Sequence, residues 1–89
     1  MQVRIPGLLR SYTRGAETVA LESKGDRTLA DALAELDARY PGFKFRIVDE
    51  QGALRPHIKI FLDGELARDL KTPTRFAGEL MIVGALSGG

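Results

Sequence analysis

Apolar and polar positions alternate at the start of the chain. In "MQVRIPGLL", Val3 and Ile5 fall on one side and Gln2 and Arg4 on the other, the period of a half-buried strand. Pro6-Gly7 then disturbs the ladder, because proline has no N–H to donate, so the pattern predicts a strand over about residues 2–6. After the turn-like "TRG", "GAETVALE" alternates again, with Ala16, Thr18 and Ala20 set against Glu17, Val19 and Leu21. Two neighbouring strands joined by a turn read as a hairpin.

The period then changes. In "TLADALAELDARYPG", Leu29, Ala32, Leu33, Leu36 and Tyr40 recur at helical spacing. Thr28 with Asp31 three positions on resembles a capping box, and Pro41-Gly42 supplies the stop. A single apolar stripe on one helix implies one surface to pack on, here the sheet. "FKFRIVDEQGALRP" alternates Phe43, Phe45 and Ile47 with Lys44 and Arg46 before "DEQG" closes it, and a short strand or a turn is expected. "HIKIFLDGEL" reads as a strand, an Asp63-Gly64 turn suited to tight hairpins, and a short return strand. "ARDLKTPTRFAG" is connection, and "ELMIVGAL" is an apolar run that suits a central strand. The order strand, strand, helix, strand, short strand, strand predicts a two-layer α+β domain, with one helix on a mixed sheet of four or five strands.

Composition narrows the function. A chain of 89 residues makes one domain, expected to span 1–89 with a C-terminal tail at 84–89. The 13 basic and 12 acidic residues nearly cancel, and no block of like charge occurs, so no nucleic-acid partner is expected. The absence of cysteine excludes disulfides, thiolate metal sites and a thiol nucleophile. No leader-like N-terminus and no long apolar stretch appears, so no membrane association is expected and a cytoplasmic location is.

Conventional catalysis is poorly supplied. His57 stands alone at the start of a strand, where it reads as a loop-edge residue. Asp49 with Glu50, and Asp31 with Glu35, read as solvated or helix-surface carboxylates. No metal site and no catalytic residue of the chain's own is expected, nor is a phosphate-binding glycine loop present.

The last six residues, "GALSGG", are different. Two terminal glycines arise by composition alone about once in two hundred chains, at an average glycine usage of about 7%. Lacking Cβ atoms, Gly88 and Gly89 could thread a narrow channel and present a terminal carboxylate to a nucleotide in another protein's active site. Adenylation by ATP would make that carboxylate an acyl donor, and sulfide transfer would yield a thiocarboxylate. A second feature lies on the sheet. With Ile58, Ile60 and Leu62 facing the helix, Lys59 and Phe61 face away; with Leu80 and Ile82 facing in, Met81 and Val83 face out. Phe61, Met81 and Val83, extended by Leu66 past the turn, form a candidate partner-binding patch leading toward the tail.

These residues together resemble the ubiquitin-like sulfur carriers of the β-grasp fold (the MoaD/ThiS type). The resemblance rests on "IPGLLRSYTRG", "TLADALAELDARYPG", "RPHIKIFLDGE" and "TPTRFAGELMIVGALSGG", in the family's order and spacing, with Gly-Gly as the most specific element. It implies that the Gly89 carboxylate is adenylated by an E1-like activating enzyme and thiocarboxylated, with Gly88 and Ser87 as the lead-in and the partner patch near Leu66, Met81 and Val83. It implies no bound cofactor, ATP being used by the activating enzyme, and a sulfur-accepting synthase as the later partner. The chain departs from the family at Asp63-Gly64, where Asn-Gly is common, at Ala77-Gly78, where Gly-Asp is common, and in a lead-in without proline. "RPHIKIFLDGE" looks closer to the carriers of cysteine and thio-metabolite pathways than to the compact small subunit of molybdopterin synthase. The small subunit of molybdopterin synthase, a ubiquitin-like protein modifier and a non-catalytic interaction module remain as alternatives. A monomer is expected when free.

Overall fold

The computed structural model describes residues 1–22, 26–74 and 77–84. Its elements are β1 (Gln2–Arg4), a 3-10 turn (Gly7–Leu9), β2 (Thr18–Ala20), α1 (Leu29–Arg39), α2 (Phe43–Ile47), β3 (Ile58–Leu62), β4 (Glu65–Ala67) and β5 (Glu79–Gly84). The five strands form one mixed sheet in the order β2-β1-β5-β3-β4. β1 runs parallel to β5, and the other pairs are antiparallel. This is the α+β, β-grasp arrangement that the sequence predicts, with β5 central as its unbroken apolar run suggested.

The inner face of the sheet is built by alternation. Val3, Val19, Ile58, Ile60, Leu62, Leu80 and Ile82 are buried and meet Leu29, Ala32, Leu33 and Leu36 of α1 in one core. α1 begins where the capping box places it. Thr28 Oγ1 accepts from the Asp31 N–H, and Asp31 Oδ2 accepts from the Thr28 N–H at 2.9 Å. The N–H groups of Leu29 and Ala30, which have no intrahelical acceptor, donate to the carbonyls of Thr72 and Leu70, both at 2.9 Å. The connection between β4 and β5 is thereby tied to the start of the helix, and Thr74 Oγ1 adds a bond to the Arg27 carbonyl at 3.1 Å.

Three boundaries differ from expectation. β1 stops at Arg4 and the chain then turns through Gly7–Leu9, although the Ile5 N–H still donates to the Glu17 carbonyl at 2.9 Å. The segment after Pro41-Gly42, expected as a short strand or turn, is the five-residue helix α2. Phe43 and Ile47 are four apart and both buried, so they share one helical face, while Phe45 projects to solvent. The Asp37 carboxylate accepts from the Lys44 N–H at 3.0 Å and so satisfies a donor that a strand would need to pair. Gly84, assigned above to the tail, is the last residue of β5.

The β3–β4 hairpin turns on Asp63 and Gly64, both with positive φ (48° and 86°). This is the conformation in which Asp-Gly is favoured. The Asp63 carboxylate also accepts from the N–H groups of Gly78 and Glu79, each at 3.0 Å, fixing the turn to the start of β5. Ser87, Gly88 and Gly89 lie outside the described residues.

Candidate functional site

Register places most of the predicted patch in one row. Arg4 of β1 stands opposite Met81 of β5, Met81 opposite Phe61 of β3, and Phe61 opposite Leu66 of β4. Side chains abreast on adjacent strands share a face, so Arg4, Met81, Phe61 and Leu66 cross the outer sheet side by side. Val83 lies two residues beyond Met81 on the same face and opposite Lys59. Leu66 and Val83 are each 39% exposed, and Phe61 and Met81 are half-buried. α2 sits in the helix layer, with Phe43 and Ile47 in the core, and so leaves this outer face uncovered.

The rim of the face is charged. Arg4 Nε lies 3.1 Å from Glu79 Oε2, and Lys59 stands exposed beside Val83. Where β1 ends, a cleft of about 370 Å³ opens between Arg4, Pro6, Arg10, Met81, Val83 and Gly84. Arg10 is held there by its Nε bond to the Ile5 carbonyl at 3.1 Å. The last described residue of β5 thus sits at the edge of a cleft bearing two guanidinium groups.

Gly84 is itself constrained. A Cβ added there would lie 2.6 Å from Leu8 Cδ2 and 3.3 Å from Ile58 Cδ1. Gly84 has the inward parity of Leu80 and Ile82, so Leu8 closes the helix side of the sheet at the point where the chain leaves β5. Sequence reasoning missed Leu8, Arg4 and Arg10. The available signal was Pro6-Gly7, which marked a break in the strand but not the 3-10 turn that carries Leu8 to Gly84.

The carboxylates have structural partners. Glu35 pairs with Arg27 and, at 3.1 Å, with Arg39. Asp31 closes the capping box, and its carboxyl is held below the ordinary range, chiefly by the Thr28 N–H and then by the Thr28 hydroxyl. Asp49 folds the loop after α2, accepting from the N–H groups of Ala53 at 3.0 Å and Gln51 at 2.9 Å, and these bonds likewise lower its pKa. His57 is half-buried beside Leu8 and Phe45. Among the described residues, no group of three or more His, Asp or Glu side chains is arranged to hold a metal ion, and no helix is long and apolar enough to cross a membrane.

A model of the ThiS family matches residues 3–89. The chain belongs to that family. Two named relatives align with most of the chain. The sulfur carrier protein CysO of Mycobacterium tuberculosis is 32% identical over 92 aligned positions, covering 98% of this chain and 96% of that protein. Small archaeal modifier protein 1 of Haloferax volcanii is 35% identical over 75 residues, covering 84% of this chain and 85% of that protein. Among solved structures, the Amycolatopsis orientalis BexX/CysO complex contains a chain that superposes with a TM-score of 0.83 at 31% identity, with 99% and 98% of the two chains covered. The crystal structure of Haloferax volcanii SAMP1 gives 0.82 at 31% identity, with 100% and 98% covered. By family, therefore, the chain is a small ubiquitin-like carrier or modifier of β-grasp fold.

Proposed function

We propose that the chain is a sulfur carrier in which the Gly89 carboxylate, as synthesised or after trimming, is the working group. The observation that carries this reading is the alignment of 98% of the chain with a sulfur carrier protein. In the first step a carboxylate oxygen attacks the α-phosphate of ATP in an E1-like enzyme, and pyrophosphate leaves. In the second, a sulfide sulfur attacks the acyl carbon and AMP departs, so one oxygen is exchanged for sulfur. Gly88 and Ser87 lead into that site, and the absence of a Cβ at Gly88 and Gly89 suits a narrow channel.

The chain supplies the docking face, and the partner enzymes supply the chemistry. Phe61, Leu66, Met81 and Val83 form the apolar centre that meets the activating enzyme and then a sulfur-accepting synthase of cysteine or thio-metabolite biosynthesis, in the cytoplasm. Arg4, Glu79 and Lys59 form its charged rim, an arrangement common to protein interfaces. A carrier that meets partners in turn works as a monomer when free.

Intact-protein mass spectrometry tests the reading. After incubation with ATP, sulfide and the activating enzyme of the same organism, the expected result is a mass gain equal to one oxygen-to-sulfur exchange, mapped to Gly89. In the same assay Met81→Asp slows the gain by an order of magnitude or more, about 1.4 kcal/mol or above, while the protein stays folded. No gain from a folded chain ending in Gly89 would overturn the proposal. The 35% identical archaeal relative is named a modifier, which favours a second reading: attachment to lysines of other proteins through Gly89. Isopeptide-linked conjugates in extracts of the source organism, lost in Gly89→Ala, would select it.

A further inference from the structure

Two cations of the docking face have no acid of their own. Arg4, on the β1 side of that face, is answered by Glu79 at 3.1 Å. Lys59 and Arg68 are both exposed, and neither makes an ion pair with a described residue. The pairing of Ile60 with Ala67 sets these two cations at neighbouring positions, Lys59 in β3 and Arg68 just past β4. They line one cleft of about 240 Å³ with Leu54, Pro56 and Leu66, and no carboxylate lines it. Arg55 also borders the cleft, but it is already answered. It shares its other side with Glu50, and it is one of the groups that lower the pKa of Asp49, after the N–H groups of Ala53 and Gln51. Lys59 and Arg68 alone therefore make up the excess.

Like charges side by side on neighbouring strands repel, so the fold gains nothing from holding these two together. Their position gives them a use. Lys59 stands opposite Val83, one residue before Gly84, where the chain leaves β5. Leu66 belongs both to this cleft and to the apolar row with Phe61 and Met81. The unanswered charge thus lies at the end of the outer face nearest the departing tail, and the cleft is continuous with the apolar row. A partner that covers the row and receives the tail also covers Lys59 and Arg68. Covering them without an opposing charge would strip water from two cations and leave them unpaired, which opposes docking. Carboxylates on the partner remove that penalty and favour encounter in the correct orientation.

We propose that Lys59 and Arg68 are an acid-receiving pair, taking up carboxylates that the activating enzyme carries beside the entrance of the site that receives the tail. The identity of that partner rests on the sulfur-carrier reading above; the charge of the pair does not. The pair sets how strongly and in which orientation the carrier docks, and it takes no part in the chemistry at Gly89.

Two measurements test it. The first titrates 15N-labelled protein with acetyl-Asp-Glu-Leu-Asp-Glu-Phe-amide, using inorganic phosphate and the same peptide with lysine at each acidic position as controls. Saturable amide shifts are expected at Lys59, Leu66 and Arg68, with half-saturation at about 1 mM. They are lost in Lys59→Glu/Arg68→Glu, and they weaken when salt rises from about 0.1 M to about 1 M and the screening length falls from about 10 Å to about 3 Å. The second measures the KM for the carrier in ATP–pyrophosphate exchange by the activating enzyme of the same organism. The double reversal is expected to raise KM about tenfold, an effect that shrinks at about 1 M salt, whereas Lys59→Arg stays close to the parent. Both side chains are exposed, and unmoved amide resonances of Val3 and Leu80 in the core report that the variants remain folded. Absence of saturable shifts at the pair, equal shifts with the basic peptide or with phosphate, or an unchanged KM in the folded double variant would overturn the proposal. Concentration-dependent shifts at Lys59 without peptide would overturn it in favour of a second copy. Peptide binding at the pair with no exchange and no mass gain at Gly89 would reject the sulfur-carrier reading and keep the pair; a mass gain at Gly89 with an unchanged KM would reject the pair and keep the reading.

Discussion

Gly84 carries a packing constraint that its neighbours do not announce. Its missing Cβ leaves the space that Leu8 Cδ2 fills, at 2.6 Å from where that atom would stand. The obstructing group is the end of a flexible side chain, so Gly84→Ala is expected to turn Leu8 outward and leave the backbone in place. The expected cost is about 1 kcal/mol, at the low end for overpacking, or a fall in melting temperature of about 4–8 °C. Leu8→Ala removes the obstruction, so the double variant Leu8→Ala/Gly84→Ala should lose less than the sum of the two single losses. A double-mutant cycle from thermal melts measures the difference, and strict additivity would show that the two residues do not compete for this space. In "IVGAL" the glycine reads as one more small residue in an apolar run, because its constraint comes from a residue 76 positions away in sequence. The outer row was legible where Gly84 was not. Alternation alone puts Phe61, Met81 and Val83 opposite the helix, and only the sheet order was needed to set Arg4 beside Met81.

Elements governed by short-range chemistry were readable, and those decided by tertiary position were not. The start of α1 is local: Thr28 and Asp31 satisfy one another's backbone donors within a single turn. Thr28→Ala is accordingly expected to destabilise the protein by about 1 kcal/mol. The urea midpoint should fall with the slope unchanged, because the loss acts on the folded helix and not on the area exposed by unfolding. A changed slope would point to wider disruption through the contacts of Thr28 with Pro73. The Asp63-Gly64 hairpin is equally local, and its pairing across β3 and β4 follows from it. α2 is the counter-example. Phe43, Phe45 and Ile47 fit a strand with all three on one face, or a helix with Phe43 and Ile47 together and Phe45 apart. The choice rests on where α1 delivers the chain and on the Asp37 carboxylate that receives the Lys44 N–H. The same choice leaves Phe45 exposed.

At the scale of the whole molecule, the parallel pairing of β1 with β5 closes the sheet by joining residues near the two ends of the sequence. Hairpin patterns do not encode that contact; it follows from the need to bury Val3 and Leu80 in one core. The molecule's response to acid follows from a different set of groups. Asp31 and Asp49 both have pKa values lowered in the folded state, the first chiefly by the Thr28 N–H and the second chiefly by the Ala53 N–H. A lowered folded pKa means that the fold favours the ionised carboxylate. The associated stability is present above the unfolded value of about 3.9 and is lost as pH falls through the lower folded value. Urea midpoints are therefore expected to stay level from neutrality to about pH 5 and to decline below about pH 4. Both carboxylates stand in water, so the decline belongs to two exposed loops and caps and not to a buried ion pair. Asp31→Asn/Asp49→Asn should lower the midpoint at neutral pH and flatten its dependence below about pH 4, since the neutral amide has no proton to gain there. An unchanged acid limb in the double variant would assign the pH dependence to other carboxylates, with Glu35 between Arg27 and Arg39 the next to be replaced.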